Sequence, residues 1–295
     1  MNSVIGDWGT TNLRIYHVDE HFDVLRCVDV PAGVNATAPA DFAAALQHAR
    51  RDVGADDATP AWLTGMIGSR HGWREAPYAD TPADAAAVAA TVTTVDDVPG
   101  VRIVGGVCHR LDDGCRDVMR GEEVQVFGVL ADHPEAQTVC LPGTHSKWVQ
   151  VHDGRIERFS TWMTGELFAC ISEQTVFARQ ITSDAFVPEA FDHGVHASGR
   201  EGPLLNRLFH LRTDGLFGRV PPAHMHACLS GFLIGRELRS NPCGPVHVCG
   251  SDTMLARYSR ALTLLGREPI PVPAATATVR GIQTLRRATP TTATG

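Results

Sequence analysis

Three short stretches concentrate groups that do chemistry. "DWGTTNLR", residues 7–14, sets a carboxylate, two hydroxyls, an amide and a guanidinium around one glycine. A turn joining two strands needs only a pair such as Asn-Gly or Asp-Gly, so the surplus points to a ligand. Gly9 lets the backbone approach closely. Thr10, Thr11 and Asn12 donate from side chains as well as backbone, and Arg14 is a planar fork suited to phosphate oxygens. Asp7 can hold a divalent cation directly or through water. "LPGTHSKW", residues 141–148, repeats the formula: Gly143 for approach, Thr144, His145 and Ser146 as donors, Lys147 as a point charge. In "VCGSDTMLARY", residues 248–258, a strand ends at Gly250-Ser251 and a helix starts near Asp252. Helix starts with small residues accept anions or ligand edges. Singly, each turn is ordinary: a Gly-Thr turn is commonly a hairpin, and Asp252 serves as a helix cap. None matches Gly-x-x-x-x-Gly-Lys-Ser/Thr or Gly-x-Gly-x-x-Gly. Three such turns in one chain make a ligand site the better reading.

The elements that must position these turns follow from periodicity. "SVIGDWG", "NLRIYHV" and "FDVLRCVDV" read as strands, the last two joined through "DEHFD" as a hairpin. "ADFAAALQHARRDV" has helical spacing, "PAWLTGMIGS" is a strand ending in a Gly loop, "ADAAAVAATV" is a helix candidate and "GVRIVGGV" a short buried strand. The pattern then restarts. "GEEVQVFGVLAD" is a helix with acids in its first turn, where the dipole favours them. A strand, the second Gly turn and "KWVQVHDGRIERF" follow, with Asp153-Gly154 as a strong hairpin signal. Helices are expected at "ELFACISEQTVFARQ", "DAFVPEAFDHGVHAS", "GPLLNRLFHLR" and "AHMHACLSGFLIGRELRS", then strand, helix, strand, and a closing helix at "TATVRGIQTLRRA". Each half thus holds strand, polar Gly turn, strand and hairpin, the echo expected of duplicated α/β domains with a cleft. At 295 residues the chain suits two domains.

Composition narrows the partners. With 43% apolar and 20% charged residues the chain has the make-up of a soluble globular protein. Its net charge of −7 argues against nucleic acid or an anionic membrane as main partner. The 8 cysteines form no Cys-x-x-Cys and no metal-ligand spacing, and several sit in apolar runs, which points to a reducing compartment. "MNSVIGDW" lacks the features of a signal peptide, and no apolar run approaches the ~20 residues that span a bilayer. The expected location is the cytoplasm. His224 and His226, two apart in "PPAHMHACL", do not share a helix face and are not read as a metal site. A homodimer is compatible with the sequence.

"DWGTTNLR", "PGTHSKW" and "CGSDTMLARY" resemble the phosphate-1, phosphate-2 and adenosine motifs of the sugar kinase, Hsp70 and actin superfamily. More narrowly, "DWGTTNLR", "MIGSRHGW" with "APY", "VMRGEEVQ", "LPGTHSKWV", "TWMTGELF" and "LSGFLIGRE", in that order from residue 7 to 237, are similar to the 2-dehydro-3-deoxygalactonokinase family. Two departures stand out: Gly6 before Asp7, and "PVPAATA" where the family has a more acidic turn before the last helix.

The resemblance implies an α/β fold of two actin-like (ribonuclease H-like) domains with an interdomain cleft: residues 1–117 as a sugar-binding, phosphate-1 domain and 118–295 as a nucleotide-binding domain. It implies ATP and Mg²⁺, and transfer of the γ-phosphoryl group to the 6-hydroxyl of 2-dehydro-3-deoxy-D-galactonate in galactonate and galactose catabolism. Such transfer needs positioning, charge neutralisation and a base near the accepting hydroxyl. Gly9, Thr10, Thr11, Asn12, Arg14, Gly143, Thr144, His145, Lys147, Gly250, Ser251 and Met254 are then the nucleotide and phosphate contacts, with the metal at Asp7. Related kinases place a carboxylate at a helix start shortly before the second turn. Glu122 is the first choice for the base and Glu123 the second; Asp7 is the rival, and both glutamates could simply stabilise the helix dipole. Arg70, Trp73, Tyr78 and Arg120 are expected to take the substrate's carboxylate and sugar face. Thr164 and Glu166 would take its hydroxyls, an ordinary N-cap at Thr164 being the plain alternative. The competing readings are a kinase of another keto-sugar or sugar acid, and a non-catalytic ATP- or sugar-binding module of the same fold.

Overall fold

A computed structural model describes residues 1–289; the last six residues of the expected second domain lie outside the described residues. β1 (Ser3–Trp8), β2 (Leu13–Val18) and β3 (Val24–Val30) form an antiparallel meander. α1 (Phe42–Asp52) returns the chain to β4 (Ala61–Gly65), which pairs parallel with β1. β5 (Tyr78–Asp80), α2 (Ala85–Ala89), β6 (Thr93–Thr94) and β7 (Val101–Ile103) follow. The resulting six-stranded sheet has the order β3-β2-β1-β4-β7-β6. β8 (Gly106–Arg110) and β9 (Arg116–Met119) join β5 in a separate three-stranded sheet, before α3 (Glu122–Asp132). Strands as short as β5, β6 and β9 carry too few alternating residues to signal themselves, and the sequence reading lacks them.

The second set of elements is β10 (Thr138–Leu141), β11 (Ser146–His152), β12 (Arg155–Trp162), α4 (Thr164–Gln174), α5 (Pro188–Ala197), α6 (Leu204–Leu216), α7 (Met225–Arg239), β13 (Val246–Gly250), α8 (Asp252–Leu264), β14 (Pro269–Pro273) and α9 (Ala274–Ala288). Its five-stranded sheet has the order β12-β11-β10-β13-β14, with β10, β13 and β14 parallel. The mixed α/β class is the one the sequence implies. Among the described residues, contacts divide the chain into one unit of residues 1–137, 149–159 and 274–289, and another of 138–148 and 160–273. The chain therefore passes between units four times, where the sequence reading draws one boundary after residue 117.

Each unit buries its own core. In the first, Val4, Trp8, Leu13 and Ile15 meet Phe42 and Leu46 of α1 and Leu63 of β4. The Trp8 ring meets Phe42 edge-on at 5.5 Å, and its Nε1 donates to the Ala32 carbonyl at 2.6 Å. In the second, Trp148, Phe191, Phe232, Val248, Tyr258 and Leu262 form the centre. Both cores sit under strand ends that lead into the polar turns.

Candidate active site

The first turn is held from behind. Gly9 N–H donates to the Asn12 carbonyl at 2.9 Å, closing the bend. The segment after β3 then takes the turn's carbonyls: Val34 N–H to Gly9, Asn35 N–H to Thr10 and Gly33 N–H to Thr11, at 3.0, 3.1 and 3.0 Å. With those oxygens satisfied, the exposed Thr10, Thr11 and Asn12 turn their donors outward. The approach is so close that a Cβ on Gly33 would lie 2.2 Å from the Thr11 carbonyl carbon. Sequence reasoning missed Gly33; its only signal was a glycine between "PA" and a valine. The turn opens into a cavity of about 440 Å³ lined by Asp7, Gly9, Thr10, Thr11, Asn12, Arg14 and residues 29–31.

Arg14, expected on phosphate, is gripped by Asp29: Nε to Oδ1 at 2.6 Å and Nη2 to Oδ2 at 2.8 Å. Asp29 holds the guanidinium firmly protonated, and its own carboxyl falls below the ordinary range. Asp7, at the cavity wall beside Arg14, keeps part of its surface open but is packed round by protein. Burial, with the charge of Glu122 added, pushes its carboxyl up to about 6 against the opposing pull of Arg14.

Glu122 is brought there by two glycines. The parallel register of β1 and β4 sets Trp8 beside Gly65. A Cβ on Gly65 would stand 2.8 Å from the Trp8 carbonyl oxygen and 3.3 Å from Asp7 Oδ1, and one on Gly121 would stand 3.1 Å from Gly65 Cα. Both residues have positive φ, 91° and 108°. The start of α3 is thereby drawn up against the end of β1. Glu122 accepts from the Arg120 N–H at 3.0 Å. Glu123 is fully buried and takes the Gly121 N–H on both oxygens, at 2.9 and 2.8 Å. Burial, then the Glu122 charge, lifts it to about 8, so it carries a proton at neutral pH.

The expected substrate residues of this unit separate. Arg120 is buried, donates to the Ala76 carbonyl at 2.8 Å and stacks 4.3 Å from the Tyr78 ring centroid. It thus ties the loop before β5 to the start of α3. Trp73 stacks on Phe42 of the core at 6.3 Å. Arg70 lies at the surface, 3.7 Å from Glu75.

The second turn is locked to the start of α4. Glu166 N–H donates to the Thr144 carbonyl at 3.0 Å, and His145 Nε2 lies 2.6 Å from Glu166 Oε2. A Cβ on Gly165 would come within 2.4 Å of the Gly143 carbonyl oxygen. Two motifs that look separate in sequence are one structure. Gly143, Thr144 and His145 are exposed, whereas Lys147 is buried in β11, its Nζ donating to the His145 carbonyl at 3.2 Å. Met163 takes the cap position of α4, and the Thr164 hydroxyl donates instead to Glu237. Glu237, at the end of α7, also accepts from Trp148 Nε1 at 2.8 Å and the Tyr258 hydroxyl at 3.0 Å. Burial raises its carboxyl above the ordinary range, while these donors oppose the rise. This carboxylate, unassigned in the sequence reading, joins β11, α4, α7 and α8.

Beside the turn lies a cavity of about 290 Å³, lined by Gly143, Thr144, Thr164, Gly165, Phe168, Ser230, Leu233, Ile234 and residues 254, 257 and 258. Its walls are mostly apolar, with polar groups near the turn and at Ser230, Arg257 and Tyr258. Gly250 fits between Met254 and Pro142, a Cβ there meeting them at 3.3 and 3.4 Å, so the third turn borders the second. Ser251 precedes α8 without a side-chain cap bond.

Comparison with known proteins gives a consistent result. A family model described as 2-keto-3-deoxy-galactonokinase matches residues 7–285. A "Probable 2-dehydro-3-deoxygalactonokinase" of Rhizobium meliloti (strain 1021) is 37% identical over 294 residues, covering 96% of this chain and 95% of that protein. The 2-dehydro-3-deoxygalactonokinase of Escherichia coli (strain K12) is 32% identical, covering 96% of each. A solved Sinorhizobium meliloti structure bearing the same enzyme name superposes with a TM-score of 0.88 at 36% identity, over 97% of this chain and 98% of that one. The activator of 2-hydroxyisocaproyl-CoA dehydratase from Clostridium difficile shares the fold at a TM-score of 0.53 and 13% identity, over 98% of this chain and 96% of that one. The architecture is that of actin-like α/β domains.

Proposed function

The chain belongs to the 2-keto-3-deoxy-galactonokinase family, and on that premise we propose that it moves the γ-phosphoryl group of ATP to the 6-hydroxyl of 2-dehydro-3-deoxy-D-galactonate. The products are ADP and 2-dehydro-3-deoxy-6-phospho-D-galactonate, and the reaction serves galactonate catabolism. The observation that carries this reading is the pair of outward-facing Gly-Thr turns, each braced from behind by backbone and a close-packed glycine. Each is built to present donors to an anionic ligand without rearrangement.

Residues 1–117 supply sugar binding and the first phosphate turn in this reading; 118–295 supply nucleotide binding. Thr10, Thr11 and Asn12 donate to the transferring phosphate; Gly143, Thr144 and His145 hold the neighbouring phosphates, and Lys147 adds positive charge from beneath. Arg14, fixed by Asp29, contributes its field rather than a free fork. The largely apolar cavity lined in part by Met254, against which Gly250 packs, takes the nucleoside, with Ser251 next in the third turn. Asp7 suits a magnesium ion: it is a hard oxygen donor at the cavity wall, and burial, with the charge of Glu122 added, raises the energy of its own charge. Bound there, the ion would neutralise phosphate charge.

Glu122 is assigned as the base that takes the proton of the accepting hydroxyl, Asp7 standing beside it as the alternative. Glu123, buried and protonated, holds the turn before α3. Arg70 is assigned to the substrate carboxylate and Tyr78 to the sugar face; Trp73 and Arg120 support their loop from the core. Glu166 steadies His145, and Thr164 reaches the nucleotide side. No helix among the described residues is long and apolar enough to cross a membrane. The reading places the enzyme in the cytoplasm, where ATP is found and where exposed thiols such as Cys27 and Cys115 stay reduced.

A coupled ADP-release assay over a panel of 2-keto-3-deoxy acids and neutral ketoses tests the assignment. The expected result is turnover with 2-dehydro-3-deoxygalactonate well above every other compound. Preference for a neutral ketose would replace the substrate, and ATP binding without turnover on any sugar would replace the reaction.

A further inference from the structure

α6 is apolar on two faces. Leu208 and Leu211 point into the core of their unit. On the outer side Leu205 is 80% exposed, Phe209 56% and Leu216 55%. Together with Arg212 these residues follow a 4-3-4 spacing, the step of a coiled-coil seam rather than of scattered surface residues. The Arg212 guanidinium lies 5.7 Å over the Phe209 ring, and its Nε is buried without an acceptor. The cation therefore lies along the stripe instead of extending into water. Single exposed apolar residues are normal, but a contiguous helical stripe marks an interaction face.

We propose that this seam is an interface between two copies of the chain, with the two α6 helices packed antiparallel about a two-fold axis. The order Leu-Phe-Arg-Leu selects that partner. Reversed across the axis, Leu205 meets Leu216 of the second copy, and Phe209 meets its Arg212. Each leucine finds a leucine and each guanidinium finds an aromatic face. Parallel pairing would set Arg212 against Arg212, and an acidic helix would leave three apolar residues to one ion pair. Antiparallel alignment also opposes the helix dipoles. One helix pair is smaller than a standard interface, so the dimer forms with a dissociation constant on the order of micromolar. The proposal concerns association only and stands apart from the kinase reading.

Sedimentation equilibrium of the full chain, from about 1 to about 100 µM, tests it by mass action. The expected mass rises from 31.8 kDa toward twice that value. Phe209→Glu raises the dissociation constant about 30-fold or more, the size of an interface hot spot. Leu205→Glu does the same and serves if Phe209→Glu does not fold. Leu205→Cys combined with Leu216→Cys gives an oxidised covalent dimer, while either single variant shows only the background of the wild-type thiols. A wild-type chain that stays monomeric throughout overturns the proposal. So does a dimer insensitive to both glutamate variants, or one in which the single cysteines cross-link as well as the pair.

Discussion

His145 Nε2 stands 2.6 Å from Glu166 Oε2, across twenty-one residues of sequence. The bond, with Glu166 N–H on the Thr144 carbonyl at 3.0 Å, makes the second Gly turn and the first turn of α4 a single rigid body. If His145 contacts phosphate, its aim depends on Glu166. His145→Ala and Glu166→Ala should each raise KM for ATP about tenfold, with the double variant no worse than the weaker single, because contacting residues couple. Additive effects in steady-state kinetics would show the two acting separately.

Gly33 has no room for a methyl group behind Thr10 and Thr11. Gly33→Ala should therefore push the first turn outward and lower kcat/KM for ATP about 100-fold, the cost of a displacement near 1 Å. Far-ultraviolet circular dichroism should stay native, since the residue lies outside the strands. Full activity in the variant would remove the bracing from the account of the site.

Glu122 and Glu123 are adjacent yet have opposite surroundings, one at the Asp7 cluster and one sealed on the Gly121 N–H. Glu122→Gln should cut kcat by about 10²–10⁴, the usual worth of a general base, with little change in KM for ATP. Glu123→Gln should keep most of the turnover. An unchanged kcat in Glu122→Gln transfers the base to Asp7, which Asp7→Asn then tests.

Glu123 also sets a pH dependence of stability. Its carboxyl rises from 4.5 to about 8 on folding, so the native state binds this proton more tightly than the unfolded chain. Its contribution is complete below about pH 4.5, declines as pH rises to about 8, and is flat above that. Denaturant unfolding of the wild type should show a loss across this window that Glu123→Gln lacks. Parallel curves for the two proteins would mean that the carboxyl is not held protonated.

Glu237 receives Trp148, Thr164 and Tyr258 on its two oxygens. Glu237→Gln turns an acceptor into a donor facing donors, and each stranded buried group costs about 1–3 kcal/mol. A lowered Tm is expected, partly restored by Thr164→Val in the same chain. A raised KM for ATP should accompany it, because Thr164 begins the helix that holds the second turn. A variant of wild-type stability would mean that the network is replaced by water.

Most of the elements could be read from the chain. The three turns, the Asp153-Gly154 hairpin and the sites of the helices lie where their residues place them, because turn chemistry and helical periodicity act over a few residues, although α4 ends at Gln174, short of the expected residue 180, and α2 is only Ala85–Ala89. Thr164 shows where local reasoning stops. Its type and place suit an N-cap, yet its hydroxyl serves Glu237 of α7, and only packing reveals a buried acceptor within reach. Arg14 and Arg120 look like ligand cations by type; the structure gives the first to Asp29 and the second to the Ala76 carbonyl and the Tyr78 ring.

The sequence by itself determined the local grammar of this protein: which segments bend, which repeat with strand or helix period, and which turns carry more polar groups than bending requires. The tertiary structure alone decided which distant residues share a space. It set Gly33 behind the first turn, Gly65 and Gly121 between Asp7 and Glu122, and Glu237 beneath the second turn. These meetings depend on the parallel register of β1 on β4 and on the packing of α4, α7 and α8. Such contacts arise from burial summed over whole elements, which no short window of residues encodes.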